Sequence, residues 1–186
     1  MQTEAEQRRY LRARNQAFPE APWNLDALRY LLGSPSWAAG TSYTAFSSDE
    51  VVGSVLVHWD PEENRRNGRH RGYTEDIFVL AGGRERGIAS YLIIQGLLYL
   101  RGSGLAEAHV QVGVDNIGAL AIYERLGYQT PAAGLVAGAR DRVEAAGVDN
   151  LALPLPGLGR YLLLARNSRL AEATADNVHV VALSPR

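Results

Sequence analysis

Apolar positions recur at helical spacing near the start of the chain. Tyr10, Leu11, Arg14 and Ala17 fall close to a 3.6-residue repeat, and Thr3 and Glu6 stand ahead of them as a capping box. This predicts a helix that ends before Phe18-Pro19. Asn24 to Leu32 reads as a second, short helix, capped by Asn24 and stopped at Gly33-Ser34-Pro35. The pattern then turns β-rich. Thr41 to Phe46 and Val51 to Trp59 read as strands joined by the turn Ser47-Ser48-Asp49-Glu50, Pro61 to Gly72 as a polar loop, and Tyr73 to Leu80 as a third strand. Helical spacing returns from Arg84 to Arg101, where Ile88, Leu92, Gln95 and Tyr99 trace one face with Ile93, Leu97 and Leu100 beside it, up to Gly102-Ser103-Gly104. Ala108 to Val114 is a strand, and Asn116 caps a helix that runs through Leu126 with Gly127 in the C′ position.

The strand–helix–strand unit from Tyr73 to Val114 implies a parallel pair with a right-handed crossover, and the earlier strands form an antiparallel meander. The fold class is mixed α/β, and the length suits one domain. Beyond Tyr128 the chain is rich in Ala, Gly, Leu and Pro. Arg140 to Ala146 reads as a short helix; Tyr161 to Ala165 and Val178 to Leu183 read as strands. Gly113-Val114-Asp115-Asn116 recurs as Gly147-Val148-Asp149-Asn150 without continuing, which reads as chance.

Composition removes several chemistries. There is no cysteine, so disulfides, thiol nucleophiles and thiolate metal sites are excluded. All 19 basic residues are arginine, so Schiff-base lysines are excluded, and the arginine bias is what a GC-rich, bacterial-like genome produces. The four histidines have no metal-ligand spacing. A net charge of -1 offers no field for nucleic acid; the four arginines from Asn64 to Arg71 lack interleaved aromatics and read as a solvated loop. The start lacks an apolar leader, and Ile88 to Leu100 is too short to span a bilayer. A soluble, cytoplasmic protein is expected.

Gly82-Gly83-Arg84-Glu85-Arg86-Gly87-Ile88-Ala89 lies between a strand and a long helix. Such a turn leaves backbone N–H groups unpaired at the positive end of the helix dipole and suits a phosphate. Arg84-x-x-Gly87-x-Ala89 is followed, one strand later, by Asn116-x-x-Ala119-x-x-x-Tyr123-x-x-Leu126-Gly127-Tyr128. In these two motifs, from about Val51 to Tyr128, the chain resembles the GNAT superfamily of acyl-CoA-dependent N-acyltransferases. Tyr73-x-Glu75-Asp76-x-Phe78-Val79 is similar to the diamine acetyltransferase branch, and the whole also resembles mycothiol-synthase-like domains.

The resemblance implies a central mixed, largely antiparallel sheet with a splayed parallel strand pair and flanking helices. It implies acetyl-CoA as acyl donor and a small-molecule primary amine as acceptor, joined by direct attack in a ternary complex. The pantetheine arm would lie against the main chain of Phe78, Val79 and Leu80, with a backbone N–H near Val79 serving the oxyanion. The pyrophosphate would sit on the N–H groups of Arg84, Glu85, Arg86, Gly87, Ile88 and Ala89, and Asn116 would reach the cofactor. Tyr123, two helical turns beyond Asn116, would protonate the departing thiolate.

Glu75 and Asp76 are adjacent in a strand, so alternation points them to opposite faces, and either could take the proton of the acceptor amine. Trp23, Trp37 and Tyr43 are candidates for lining an acceptor pocket, core packing being their ordinary role. His58 and His109 read as structural. In the family a proline and an aromatic commonly precede the turn; here Ala81 and Gly83 stand there. The strand that usually precedes the first helix has no counterpart. The chain reads either as a fragment of a tandem protein or as one whose later strands fill that place, exchange between two subunits of a homodimer included. The rival reading is an inert module that binds CoA or a protein.

Overall fold

The computed structural model describes residues 3–113, 115–129, 148–154 and 178–183. The helix α1 spans Glu4–Ala17, and both capping-box bonds form: Glu6 N–H to the Thr3 hydroxyl at 3.2 Å and Thr3 N–H to Glu6 at 3.1 Å. The helix α2 spans Leu25–Leu32, its cap made by Asn24 Oδ1 accepting from Ala27 N–H. Strands β1 (Thr41–Ser47) and β2 (Glu50–His58) form the expected hairpin.

The predicted polar loop is in part a helix, α3 (Pro61–Arg66). Asp60 caps it, proline sits in the first turn, where a missing N–H costs nothing, acids lead and arginines close it. Strand β3 (Arg71–Val79) follows, then a single 3₁₀ turn at Ala81–Gly83. The helix α4 (Ile88–Gly102) starts four residues later than expected, because the 3₁₀ turn and a left-handed Gly87 (φ 77°) occupy the approach. Strand β4 (Glu107–Gly113) and α5 (Ile117–Leu126) match the reading closely.

Strand β5 (Val148–Pro154) was not expected; the recurring Val148-Asp149-Asn150 opens it. Strand β6 (Val178–Leu183) has the predicted bounds. The expected helix at Arg140–Ala146, the expected strand at Tyr161–Ala165 and position Val114 lie outside the described residues.

Among the described residues the sheet runs β5-β4-β3-β2-β1-β6, with β3 and β4 parallel and every other neighbour antiparallel. The edge of β1 is covered by β6, one of the two later strands expected to complete the sheet. Two cores sandwich the sheet. On one face α4 packs Leu92, Leu97 and Leu100 against Val55, Val57 and Val110, all fully or almost fully buried. An added Cβ at Gly96 would come within 2.9 Å of Val57, so α4 approaches β2 as closely as glycine allows. On the other face α1 and α2 pack Tyr10, Leu11 and Leu28 against Leu56 and Phe78. Trp37 is a core residue on that face, and Tyr43 packs edge-on to Tyr99 beside the other core.

No helix among the described residues is long and apolar enough to cross a membrane.

Candidate active site

The parallel pair is joined at three positions only: Arg71↔Glu107, Gly72↔Ala108 and Tyr73↔His109. Strand β4 continues to Gly113 fully paired to β5, while β3 continues to Val79 paired to β2. The two strands fork above Tyr73, and their facing main-chain groups have no ladder partner. At the fork the Thr74 hydroxyl lies 3.4 Å from the His109 carbonyl, to which it donates, and 3.0 Å from the Tyr128 hydroxyl.

Strand β3 also carries a bulge. Its register with β2 slips between Ser54↔Phe78 and Leu56↔Glu75, and Asp76 adopts φ 50°. The extra residue breaks alternation. Thr74, Ile77 and Val79 face the α4 side, whereas Asp76 and Phe78 both face α1. Glu75 and Asp76 therefore line one cavity, contrary to the expectation of opposite faces.

That cavity, of about 310 Å³, lies on the α1/α2 side and bridges the fork. Leu31 of α2 and Trp23 of the preceding loop form its apolar wall with Leu56. Its polar wall is His58 of β2, Glu75 and Asp76 of β3, and Gln111 of β4. Trp23 is fixed by Asn15, whose amide donates to the Trp23 carbonyl at 2.8 Å and whose Oδ1 accepts the Trp23 N–H at 2.9 Å. His58, Leu31, Leu56 and Gln111 were missed as site residues. One signal could have found His58: alternation puts it on the same face of β2 as Leu56.

The two acids have different environments. The Asp76 carboxylate accepts from the Tyr10 hydroxyl at 2.5 Å and from Arg14 Nε at 3.1 and 3.0 Å. Its side chain is 10% exposed and that of Arg14 is 6% exposed. Burial, and then the Asp76 charge, push the Tyr10 phenol well above its usual range, so it stays a donor. Glu75 is 42% exposed and meets His58 Nε2 at 3.0 Å. Asp76 is committed to structure; Glu75 is open to a ligand.

Tyr123 lies in the core of the opposite face, edge-on to Tyr128 at 5.5 Å, and thus one ring away from the fork. Burial pushes its phenol up to about 12. Its hydroxyl bonds to no described residue.

Beyond the fork, α4 begins without a side-chain cap. Its first turn-closing bond runs from Tyr91 N–H to the Gly87 carbonyl at 3.1 Å, which leaves the N–H groups of Ile88 and Ala89 at the open helix end. Glu85 at φ 62° and Gly87 at φ 77° curl the chain there, and a Cβ on Gly82 would meet nothing within 4 Å. A phosphate fits this end. The Arg84 side chain turns back to donate to the Val79 carbonyl at 3.2 Å.

Other expected contacts are already used. Leu80 N–H donates to the Val52 carbonyl, and alternation turns the main chain of Phe78, paired with Ser54, to β2 as well, so of the three residues Val79 alone turns its main chain to the gap; the Phe78 ring is buried against Tyr10 and Phe18. Asn116 Oδ1 caps α5 by accepting from Ala119 N–H at 3.2 Å. Among the described residues no three His, Asp or Glu side chains group as they would around a metal ion.

The profile of the Acetyltransferase (GNAT) family matches residues 8–128, well over half of the chain. The N-alpha-acetyltransferase MAK3 of Arabidopsis thaliana is 34% identical over 86 residues, 46% of this chain and 43% of that protein. The mycothiol acetyltransferase of Segniliparus rotundus is 31% identical over 127 residues, 63% of this chain and 46% of that protein. The chain thus spans less than half the length of either relative. Solved structures share the fold. The NatC complex bound to Gag peptide and CoA aligns with a TM-score of 0.61 at 21% identity, over 82% of this chain and 92% of that one. A GNAT-family acetyltransferase from Staphylococcus aureus Mu50 aligns at 0.62 and 12% identity, over 82% and 95%. With the forked parallel pair and the open helix end in their expected order, the chain belongs to the GNAT acetyltransferase family.

Proposed function

We propose that this chain transfers an acetyl group from acetyl-CoA to a primary amine held in the cavity beside the fork. The observation that carries the proposal is the placing of Glu75: a half-open carboxylate on the wall of a cavity that spans the gap between β3 and β4. When bound, acetyl-CoA supplies the electrophilic acyl carbon and a sulfur leaving group. The main chain of Val79, the N–H groups of Ile88 and Ala89, and the Asn116 amide are the groups that would hold it.

The acceptor arrives as an ammonium, with an ordinary pKa near 10, and must lose a proton before it can attack. Glu75 receives that proton, and its charge also draws the cation in. Asp76 is excluded from this task because Tyr10 and Arg14 saturate it. A phenol at about 12 stays protonated throughout the working range. Tyr123 therefore acts as a hydrogen-bond donor to charge that develops on the leaving sulfur. Complete transfer to a thiolate, whose ordinary value of about 8.5 lies well below the phenol's, runs uphill even when that charge is complete, so the hydroxyl donates without giving up its proton.

The relatives point to two kinds of acceptor, one named for mycothiol and one for an α-amino group. The test offers acetyl-CoA with a panel of small amines and of short peptides with free N-termini, and reads thiol release. Release with one class assigns the acceptor. Acetyl-CoA binding without release on any amine would leave the inert binding module.

A further inference from the structure

His58 lines the cavity, and the reaction above gives it no part. The ring lies against Tyr73, its register partner on β3, with centroids 5.6 Å apart and planes 23° from parallel. The side chain is 14% exposed. Nε2 stands 3.0 Å from Glu75 Oε2, and Nδ1 is enclosed with no partner among the described residues.

These contacts decide where the ring carries its hydrogen. On Nδ1 it would be an enclosed N–H without an acceptor. Nε2 would then turn a lone pair toward the lone pairs of Oε2. On Nε2 the hydrogen points at the carboxylate; Nδ1 is without a partner among the described residues in either case, so the Nε2 contact decides.

Among the described residues His58 is also the one side chain that bonds the Glu75 carboxylate. The other charged and titratable groups nearby have their own partners. Asp76 is held by Tyr10 and Arg14. His109, beyond Tyr73, pairs with Glu107 at 3.0 Å. Arg71, over the Tyr73 ring, pairs with Glu63.

We propose that His58 is a positioning residue for the acceptor's base, an inference that rests on the proposed acetyl transfer. Its Nε2–H pins one oxygen of Glu75 to the cavity wall and leaves Oε1 to face the ammonium. A glutamate that is 42% exposed would otherwise spread over several rotamers in water. In the proton-transfer step an N–H bond of the ammonium breaks and an O–H bond forms on Oε1. His58 keeps its own hydrogen throughout, and the proton leaves Glu75 by its exposed side.

The test is a double-mutant cycle. His58→Phe keeps a ring to stack on Tyr73 and removes the donor; His58→Gln restores a donor. H58F is expected to lower kcat/KM for the amine about tenfold or more, with the Kd of acetyl-CoA changed less than twofold. H58Q should recover most of that loss. In an E75Q background H58F should cost nothing further, because the carboxylate it serves is gone. If H58F does not fold, His58→Asn, polar but too short to reach Glu75, takes its place. Full activity in H58F, or an equal loss with and without the Glu75 carboxylate, would overturn the proposal while leaving acetyl transfer standing. A wild-type chain inactive on every amine would sink both.

Discussion

Arg14 holds both oxygens of Asp76 with one guanidinium: Nε lies 3.1 and 3.0 Å from them, and Nη2 lies 3.0 Å from Oδ1. The same group donates from Nη1 to the Ala21 carbonyl at 2.6 Å, and its flat face lies 3.7 Å from the Trp23 ring. One buried cation thus joins α1, the bulge of β3 and the loop that leads into α2. The left-handed backbone at Asp76 costs about 1–3 kcal/mol, and this clamp offsets it. The two adjacent acids part company here: Asp76 is held by Tyr10 and Arg14, whereas Glu75 stays part-exposed on the cavity wall.

Breaking that pair from one side leaves a charge enclosed. Arg14→Met is expected to lower stability by about 3–5 kcal/mol. R14M/D76N removes both charges and should recover a large part of the loss. Chemical denaturation of the three proteins measures this; a double variant no more stable than R14M would show that the charge pair is not what holds the bulge.

Tyr123→Phe removes a hydroxyl that no described residue uses. The melting temperature and the Kd for acetyl-CoA should barely move, while turnover falls by about 10²-fold or more. Unchanged turnover would remove Tyr123 from the chemistry and leave it as core.

The raised phenols give a pH signature. Burial disfavours the charged form of Tyr123, so its contribution to stability is complete below the ordinary value of 10.0 and is lost as pH climbs through about 12. In a spectrophotometric titration Tyr123 and Tyr10 should ionise after the exposed tyrosines, and Y123F should delete part of that late rise. An enzyme whose activity declines below pH ~11 is then losing some other group.

Two glycines of the turn should behave differently. Gly87 sits at φ 77°, where a side chain is strained by about 1–2 kcal/mol, so Gly87→Ala should weaken both fold and acetyl-CoA binding. Gly82 has open space where a Cβ would go, so Gly82→Ala should leave the fold within about 0.5 kcal/mol of wild type. Thermal melts with and without acetyl-CoA compare them.

The elements with strong caps were legible in the sequence. Thr3-Glu6, Asn24 and Asn116 all cap as read, because a cap is a local hydrogen bond. The helix α3 was missed because a short run of Glu, Asn and Arg shows no hydrophobic period, although Asp60-Pro61 marks its start. The bulge was missed because strand alternation is a local rule and a bulge is settled by tertiary partners. Tyr10 and Arg14, more than sixty positions away, pull Asp76 to the face of Glu75. His58 reads as structural from the sequence for the same reason, since its carboxylate partner Glu75 lies on the next strand.

The fork between β3 and β4 gives this sheet two edges in its interior. Outer edges of sheets invite any passing strand and are commonly guarded against aggregation. An inner edge needs no such guard, because Tyr73↔His109 closes the slot at one end and the helices cover its faces. What enters must be thin, extended and able to bond to main chain on both sides. Selection there is by shape and backbone polarity, so nearly any side chains that keep the fork open will serve, and the slot can stay constant while the residues lining the cavity beside it change.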